Sequence, residues 1–567
     1  MTQMRGPALA AACLLAACNH RTGIEGEADA AIDVADDEPV VEEPAEPDTV
    51  LDIADDSPLP PCLRFVDAAS TAGAPTGLAW SSAFPTVQEG LASAGEAMGS
   101  SGLDECEVWV AGGTYRVYVS SPHDTAAVTA GMRMYGGFAG GEPRRADRDW
   151  AAHRTVLDGR EAGGAGRCLH VVTADGDTVV DGLTIAGGEA LGSDGDGAVG
   201  GGLLVRDADD VEVANCTFEE NTAGSGGGMA VLRGGATISG SAFMGNEADY
   251  GGCVVVHESR VVVRDTSFSL SSPGYGGGIL AGESEIVVES SVFEGTVSVP
   301  DSDIDGIMLY AGSLRITSSA FSSLDGSIYT QGCDAVLIEG CTFRDNTDRA
   351  IETVESVVEI SASVFTGSTS PQCGAVKSVD SDVRISESVF TGNTSYSTGG
   401  AICSGSGVME IASCVFVDNH AYSKGGAVLN RGTLAVIGSS FTGNTAGLLG
   451  GAISSGSGCT VTNSVLWDDG NGEFEDLFPS IPCQVTWSLV EGGREGTSNI
   501  DADPLYEDPG GGNLRLGPGS PCIDAADGGM ASDLDIEGNP RIDDPATPDT
   551  GTGDPPYADM GAYEYHP

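Results

Sequence analysis

Apolar and polar residues alternate along most of this chain, and the alternation itself repeats. Eleven large apolar positions, Phe218, Phe243, Phe268, Phe293, Phe321, Phe343, Phe365, Phe390, Phe416, Phe441 and Trp467, follow one another at intervals of 22 to 28 residues, most often 25. A fixed period of that size is the mark of one short unit stacked many times, a solenoid. Inside the units the period is two: Val211 to Phe218, Arg384 to Phe390 and Glu410 to Phe416 each place apolar side chains on one face and polar ones on the other. Strands half-buried against a core carry this pattern, whereas a helical repeat would need steps of three and four.

Paired or tripled glycines recur mid-unit, at Gly226-Gly227-Gly228, Gly251-Gly252, Gly276-Gly277-Gly278, Gly399-Gly400, Gly425-Gly426 and Gly450-Gly451. They predict sharp turns where a side chain would strike the neighbouring coil. Asparagine stands three residues after the aromatic at Asn221, Asn246, Asn346, Asn393, Asn419 and Asn444. Such a column can accept a left-handed turn and hydrogen-bond the backbone of the next coil. The pattern predicts an all-β right-handed parallel β-helix of about eleven or more coils with caps at both ends. At the strand spacing of about 4.8 Å, eleven coils make a rod of roughly 50 Å.

Gly400-Ala401-Ile402 with Phe416-Val417-Asp418-Asn419, and Gly426-Ala427-Val428 with Phe441-Thr442-Gly443-Asn444, carry a family resemblance. Over about residues 180 to 470 the chain resembles bacterial right-handed β-helix proteins with repeats of the polymorphic outer membrane protein type. The units at Phe293, Phe321 and Phe365 depart from it by lacking the asparagine. Phe65-Val66-Asp67-Ala68, Val108 to Tyr115 and Tyr135 to Gly140 look like the opening segment of such proteins, with a short helix around Val87 to Ala97 covering the first coil. Pro518 to Ala525, Gly538 to Arg541 and Asp559 to Glu564 look like the closing module of the choice-of-anchor Q group. The expected division is an export signal over 1–18, an acidic tether over 19–61, an N-terminal cap over 62–165, the β-helix over 166–490 and a C-terminal capping module over 491–567.

The first eighteen residues run from Arg5 through an apolar stretch, Ala8 to Ala17, to Cys18. The stretch is too short for a mature membrane span and reads as an export signal. Leu15-Ala16-Ala17-Cys18 resembles the lipobox of bacterial lipoproteins, which implies acylation of Cys18 and, with Asn19 following, an outer-membrane or cell-surface address. Residues 22 to 61 hold 14 Asp or Glu and six prolines with no Lys or Arg, a self-repelling extended tether.

Across the chain, 25 basic residues against 84 acidic give a formal charge of −59. Phosphate backbones need Lys and Arg, so a nucleic-acid partner is excluded. Thirteen cysteines follow Cys18, an odd number in an oxidising compartment, so at least one stays unpaired within the chain. The preferred bridges are Cys62–Cys106 and Cys459–Cys483, each clamping an end where a solenoid frays.

Asp301, Asp303 and Asp305, at alternate positions before Gly306, have the spacing of a calcium loop; a solvated acidic loop gives the same pattern. Asp533, Asp535 and Glu537 form a similar cluster. Tyr250, Tyr275, Tyr396 and Tyr422 recur just before the glycine turns, so they would line one edge and could stack against sugar rings; packing within their own loops is the competing explanation. Right-handed β-helices include pectate lyases and polygalacturonases, and Asn346-Thr347-Asp348 matches one fragment of the polygalacturonase signature without the rest. For a lyase, calcium on Asp301, Asp303 and Asp305 with Arg344 or Arg349 as base would be the constellation. The histidines, His170, His257 and His420 among them, lack metal or triad spacing. The resulting expectation is a lipid-anchored surface rod that binds extracellular or cell-surface polysaccharide without catalysis. A polysaccharide lyase or glycoside hydrolase, and a structural envelope spacer, are the competing expectations.

Overall fold

A computed structural model describes residues 59–192, 198–270, 276–295, 306–456, 458–476 and 482–567. One coil shows how the repeat is laid out. Met229–Leu232 and Gly235–Ser239 lie in one sheet, Ala242–Met244 in a second, and Glu247–Tyr250 runs into the glycine turn that leads to the next coil. Each strand pairs in parallel with its equivalent one coil on, as Phe218 with Phe243 and Met229 with Val254. The result is a sheet of 27 strands, a second of 15 and two short ladders at the glycine corner.

The second sheet carries the phenylalanines inward. All ten, from Phe218 to Phe441, are at most 1% exposed, and successive rings stack nearly parallel with centroids 4.4 to 5.0 Å apart. That separation is the coil spacing itself, so the backbone pitch holds the rings in stacking contact. The column ends differently from the sequence expectation. Leu466, in register with Phe441, takes the inward place, and Trp467 faces outward onto the C-terminal module.

The asparagines work as side chains, and the left-handed residue is the one before them. Glu220, Asp345 and Asp418 have φ of +53°, +52° and +54°, and Gly245, Gly392 and Gly443 serve the same place in other coils. Asn393 Nδ2 donates to Phe365 O and to Asn419 Oδ1, and Asn419 Nδ2 to Phe390 O and Asn444 Oδ1. Two residues before each aromatic runs a second ladder. Ser241, Thr266, Ser291, Ser363, Ser388, Ser439 and Ser464 accept a backbone N–H from the preceding coil. Cys216, Cys341 and Cys414 occupy that column as small donors, Cys414 Sγ reaching Ala412 O as Ser388 Oγ reaches Ser386 O. Burial pushes all three thiols up, Cys341 to about 11 and Cys216 and Cys414 to about 12, so they stay protonated.

The glycine corner confirms a steric need. A Cβ on Gly400 would lie 1.9 Å from Gly426 O, and one on Gly426 2.1 Å from Gly451 O. At the N-terminal end, α1 (Val87–Ser101) begins at an N-cap, Thr86 Oγ1 accepting from Glu89 N, and stops at left-handed Gly102. It lays Val87, Gly90, Leu91 and Ala94 over the first coil. It runs past Ala97 because Gly102, four residues beyond Met98, closes it.

The C-terminal residues do more than close the end. They fold back along the outside of the second sheet, where Val389, Val415 and Val417 pack against Leu514, Tyr506 and Ala562, and Ala562 N donates to Ser440 Oγ. Val415-Phe416-Val417 is apolar on both faces for this reason. Disulfides join Cys62 to Cys106 and Cys459 to Cys483, and a third joins Cys373 to Cys403. Seven further cysteines, all buried, are unpaired among the described residues.

Candidate functional site

The edge where each coil turns at its glycines presents different side chains at different heights. Tyr396 and Tyr422 follow the short strands Thr394–Ser395 and His420–Ala421, which pair in parallel. That register sets the two tyrosines on adjacent coils. They are 57% and 58% exposed, with ring centroids 5.3 Å apart and an edge-to-face tilt. His420 lies edge-on to Tyr422 at 5.1 Å, and its Nδ1 is 2.7 Å from Thr445 Oγ1. Leu448 and Leu449, also exposed, continue the apolar edge one coil further.

Beside this edge, on the outer face of the first sheet, lies a groove of about 310 Å³, the lower end of ligand-sized cavities. Gln372, Ser397 and Thr398 give it hydroxyl and amide groups, the Cys373–Cys403 disulfide lines it, and Lys377 and Arg431 bring positive charge. The exposed Arg431 makes no ion pair among the described residues. Both lysines of the chain are on this side: Lys377 is 2.7 Å from Glu352, and Lys424, whose carbonyl accepts from Gly399 N, is 2.5 Å from Glu475. In a chain of charge −59, Arg431 is thus the cation this groove offers, Lys377 being paired with Glu352.

The other sequence candidates separate. Asp301, Asp303, Asp305 and Tyr275, like Cys18, lie outside the described residues. Tyr250 is half-buried and packs with Tyr310 and Val354 on a cluster around Leu204, Val255 and Leu280, so it is no part of an exposed row. Larger apolar residues on its neighbouring coils draw it in. Arg344 is exposed on the second sheet, whereas Arg349 sits at the glycine corner, so the two proposed bases are on different faces. Arg349 is bound between Asp348, at 2.9 Å, and Glu352, which also holds Lys377; a guanidinium fixed by two carboxylates is a poor base. Asp348, in the Asn346-Thr347-Asp348 fragment, is committed to this cluster and accepts from Ser370 Oγ, while Asn346 is buried in the ladder.

Asp535 is also fully occupied. Its carboxylate accepts from Glu537 N, Asn539 N, Asn539 Nδ2 and Glu564 N, and Glu537 pairs with Arg515. Asp535 and Glu537 are therefore committed to a turn and an ion pair, while Asp533 is exposed. His170 and His257 each face a backbone carbonyl of the next coil. The groove itself escaped sequence reading because its residues are spread over Gln372 to Arg431. The one signal was the presence of only two lysines, both within that region's neighbourhood.

A family model described as a right handed beta helix region matches residues 171–301 and 305–466. Comparison with curated proteins finds no match. Among solved structures, bacteriophage CBA120 tailspike protein 3 is similar at 13% identity and TM-score 0.38, over 78% of this chain and 65% of the tailspike's. The chain thus spans less than two thirds of the tailspike's length. Pectate lyase Pel9A matches at 13% identity and TM-score 0.25, over 89% of this chain and 96% of that one. A GH136 lacto-N-biosidase from Eubacterium ramulus matches at 10% and 0.26, over 78% and 68%. Likenesses this distant transfer no activity.

Proposed function

Since this chain belongs to the right-handed β-helix family, in which the rod is a scaffold and function resides in side chains grafted on its faces, we propose that it binds polysaccharide without cleaving it. The observation that carries this reading is the exposed Tyr396–Tyr422 pair on adjacent coils, next in sequence to Ser397 and Thr398 of a polar groove. Aromatic faces at coil spacing offer successive sugar rings a stacking surface. Ser397, Thr398 and Gln372 then offer hydrogen bonds to hydroxyls, and Arg431 offers a charge-assisted one to a hydroxyl or carboxylate.

A non-catalytic role is supported by the pairing of Arg349 and Lys377 with Asp348 and Glu352, which holds both side chains protonated and so unable to act as bases. The proposal includes display at the cell surface through a lipid on Cys18, supported by the apolar run that ends at that cysteine and by the acidic stretch after it.

Affinity electrophoresis of the exported chain through gels containing acidic and neutral polysaccharides tests the binding. The double substitution Tyr396→Ala, Tyr422→Ala should lower retention at least about tenfold, stacking being worth about 1 kcal/mol or more per ring, with the melting temperature unchanged. Equal retention of the double variant would refute the stacking role of this pair. Release of oligosaccharides on prolonged incubation would refute the absence of catalysis.

A further inference from the structure

We propose that the C-terminal module binds a calcium-sized divalent cation between Asp524, Asp543 and Asp549. One carboxylate oxygen from each of the three lies within 4.8 Å of the others. Ligands 2.3 to 2.6 Å from a calcium ion can be no further apart than about 5 Å, so the spacing of the three oxygens is compatible with one shared ion.

The decisive group is Asp524. It is fully buried, and its Oδ2 has no hydrogen-bond partner among the described residues. Its Oδ1 has only a long contact, 3.5 Å, from Asp544 N. The backbone around it is held firmly: its N–H donates to Asp559 Oδ1 at 2.7 Å, and its carbonyl accepts from Thr550 N and Gly551 N at 2.8 and 2.9 Å. Those last two bonds tie the loop that carries Asp543 and Asp549 to Asp524. An orphaned buried carboxylate oxygen costs stability unless something positive meets it.

The charges acting on this carboxyl are Asp543, Asp549 and Asp544, all negative; burial first, and then these neighbours, push it up to about 6. Three carboxyl groups converge here. Asp544 is outside the ligand set, because its oxygens already accept from Ala546 N and Thr547 Oγ1. The contrast with Asp535 is instructive. There the backbone satisfies every oxygen; at Asp524 it leaves one without a partner, and a carboxylate oxygen of Asp524 lies within 4.8 Å of one from each of two exposed carboxylates. All-oxygen, multiply anionic donors select a hard cation over a transition metal.

Titration calorimetry with calcium chloride on the chelator-stripped full chain, together with thermal melts in calcium and in EGTA, tests the site. Calcium should raise the melting temperature by about 3 °C or more at saturation. Asp543→Asn with Asp549→Asn should weaken binding more than about tenfold and abolish that rise, both residues being exposed and without side-chain hydrogen bonds among the described residues. Asp303→Asn should leave both unchanged, separating this site from the acidic segment at 301–305. Magnesium should need at least about tenfold higher concentration, since it resists dehydration and demands a tighter octahedron. Unaltered calcium binding in the double variant, or identical melts in calcium and EGTA, would overturn the proposal. Should the double variant melt early without calcium, Asp549→Asn alone supplies the same comparison.

Discussion

Asp469 stands where the asparagine ladder would place its next member, and its Oδ1 accepts both the backbone N–H and the Nδ2–H of Asn444, at 2.7 and 2.9 Å. The ladder therefore ends on a carboxyl. Glu473 lies against it, its Oε1 accepting from Asp469 N, and one oxygen of each residue is buried without a partner. Burial raises both carboxyls above their ordinary values of 3.8 and 4.5, and Asp469 raises Glu473 further, so the folded pair retains a proton that the unfolded chain gives up.

The sign of the pH effect follows. With folded values raised, the folded state binds more protons above about pH 4, and the stability these groups contribute falls as pH rises through the folded titration. Asp469→Asn keeps the acceptor for Asn444 and adds an Nδ2 donor placed to reach Phe441 O, as Asn444 reaches Phe416 O. The variant should match the parent at pH 5 and exceed it by about 1–2 kcal/mol at pH 8. Urea unfolding at the two pH values measures this, and a variant less stable than the parent at pH 8 would contradict it.

Ser368 interrupts the same ladder. Asn346 Nδ2 on one side and Ser368 Oγ itself are buried without partners, although Ser368 N donates to Asn393 Oδ1 as a ladder residue should. Ser368→Asn would supply the missing acceptor for Asn346 and a donor for the Phe343 carbonyl. It should stabilise the chain by about 1–2 kcal/mol, read as a higher urea midpoint with an unchanged slope.

The glycines differ in kind, and alanine replacement should separate them. At Gly392, with φ +63°, nothing lies within 4 Å of an added Cβ, so only the left-handed backbone resists and the cost should be about 1 kcal/mol. At Gly400 the Cβ would meet Gly426 O at 1.9 Å and His420 backbone at 2.7 Å, so adjacent coils must part. Gly400→Ala should cost about 3 kcal/mol or more in thermal or urea unfolding, and it should disturb the Tyr396–Tyr422 edge that these coils carry.

The aromatic period and the period-two alternation fixed coil length, strand direction and the inward phenylalanines, because a side chain that must be buried once per turn leaves a mark once per turn. The final place in that column was misread, Trp467 for Leu466, since size alone does not tell which of two adjacent apolar residues points inward when a module covers the outer face. The same cover explains Val415 and Val417, whose apolar character belongs to a contact with Leu514 and Ala562, far along the chain.

The four tyrosines look equivalent in sequence, yet Tyr250 is packed among Leu204, Val255 and Leu280 while Tyr396 and Tyr422 are exposed. Exposure depends on what the coils above and below present. In the same way, Asp524 and Asp535 are both buried aspartates of one module, and only the path of the surrounding backbone makes one a satisfied turn and the other an open ligand. The sequence by itself determined the rod, whose order comes from contacts between residues one period apart. Tertiary structure alone decided the groove and the acidic site, because their groups converge from separate coils and loops, at distances that no local pattern encodes.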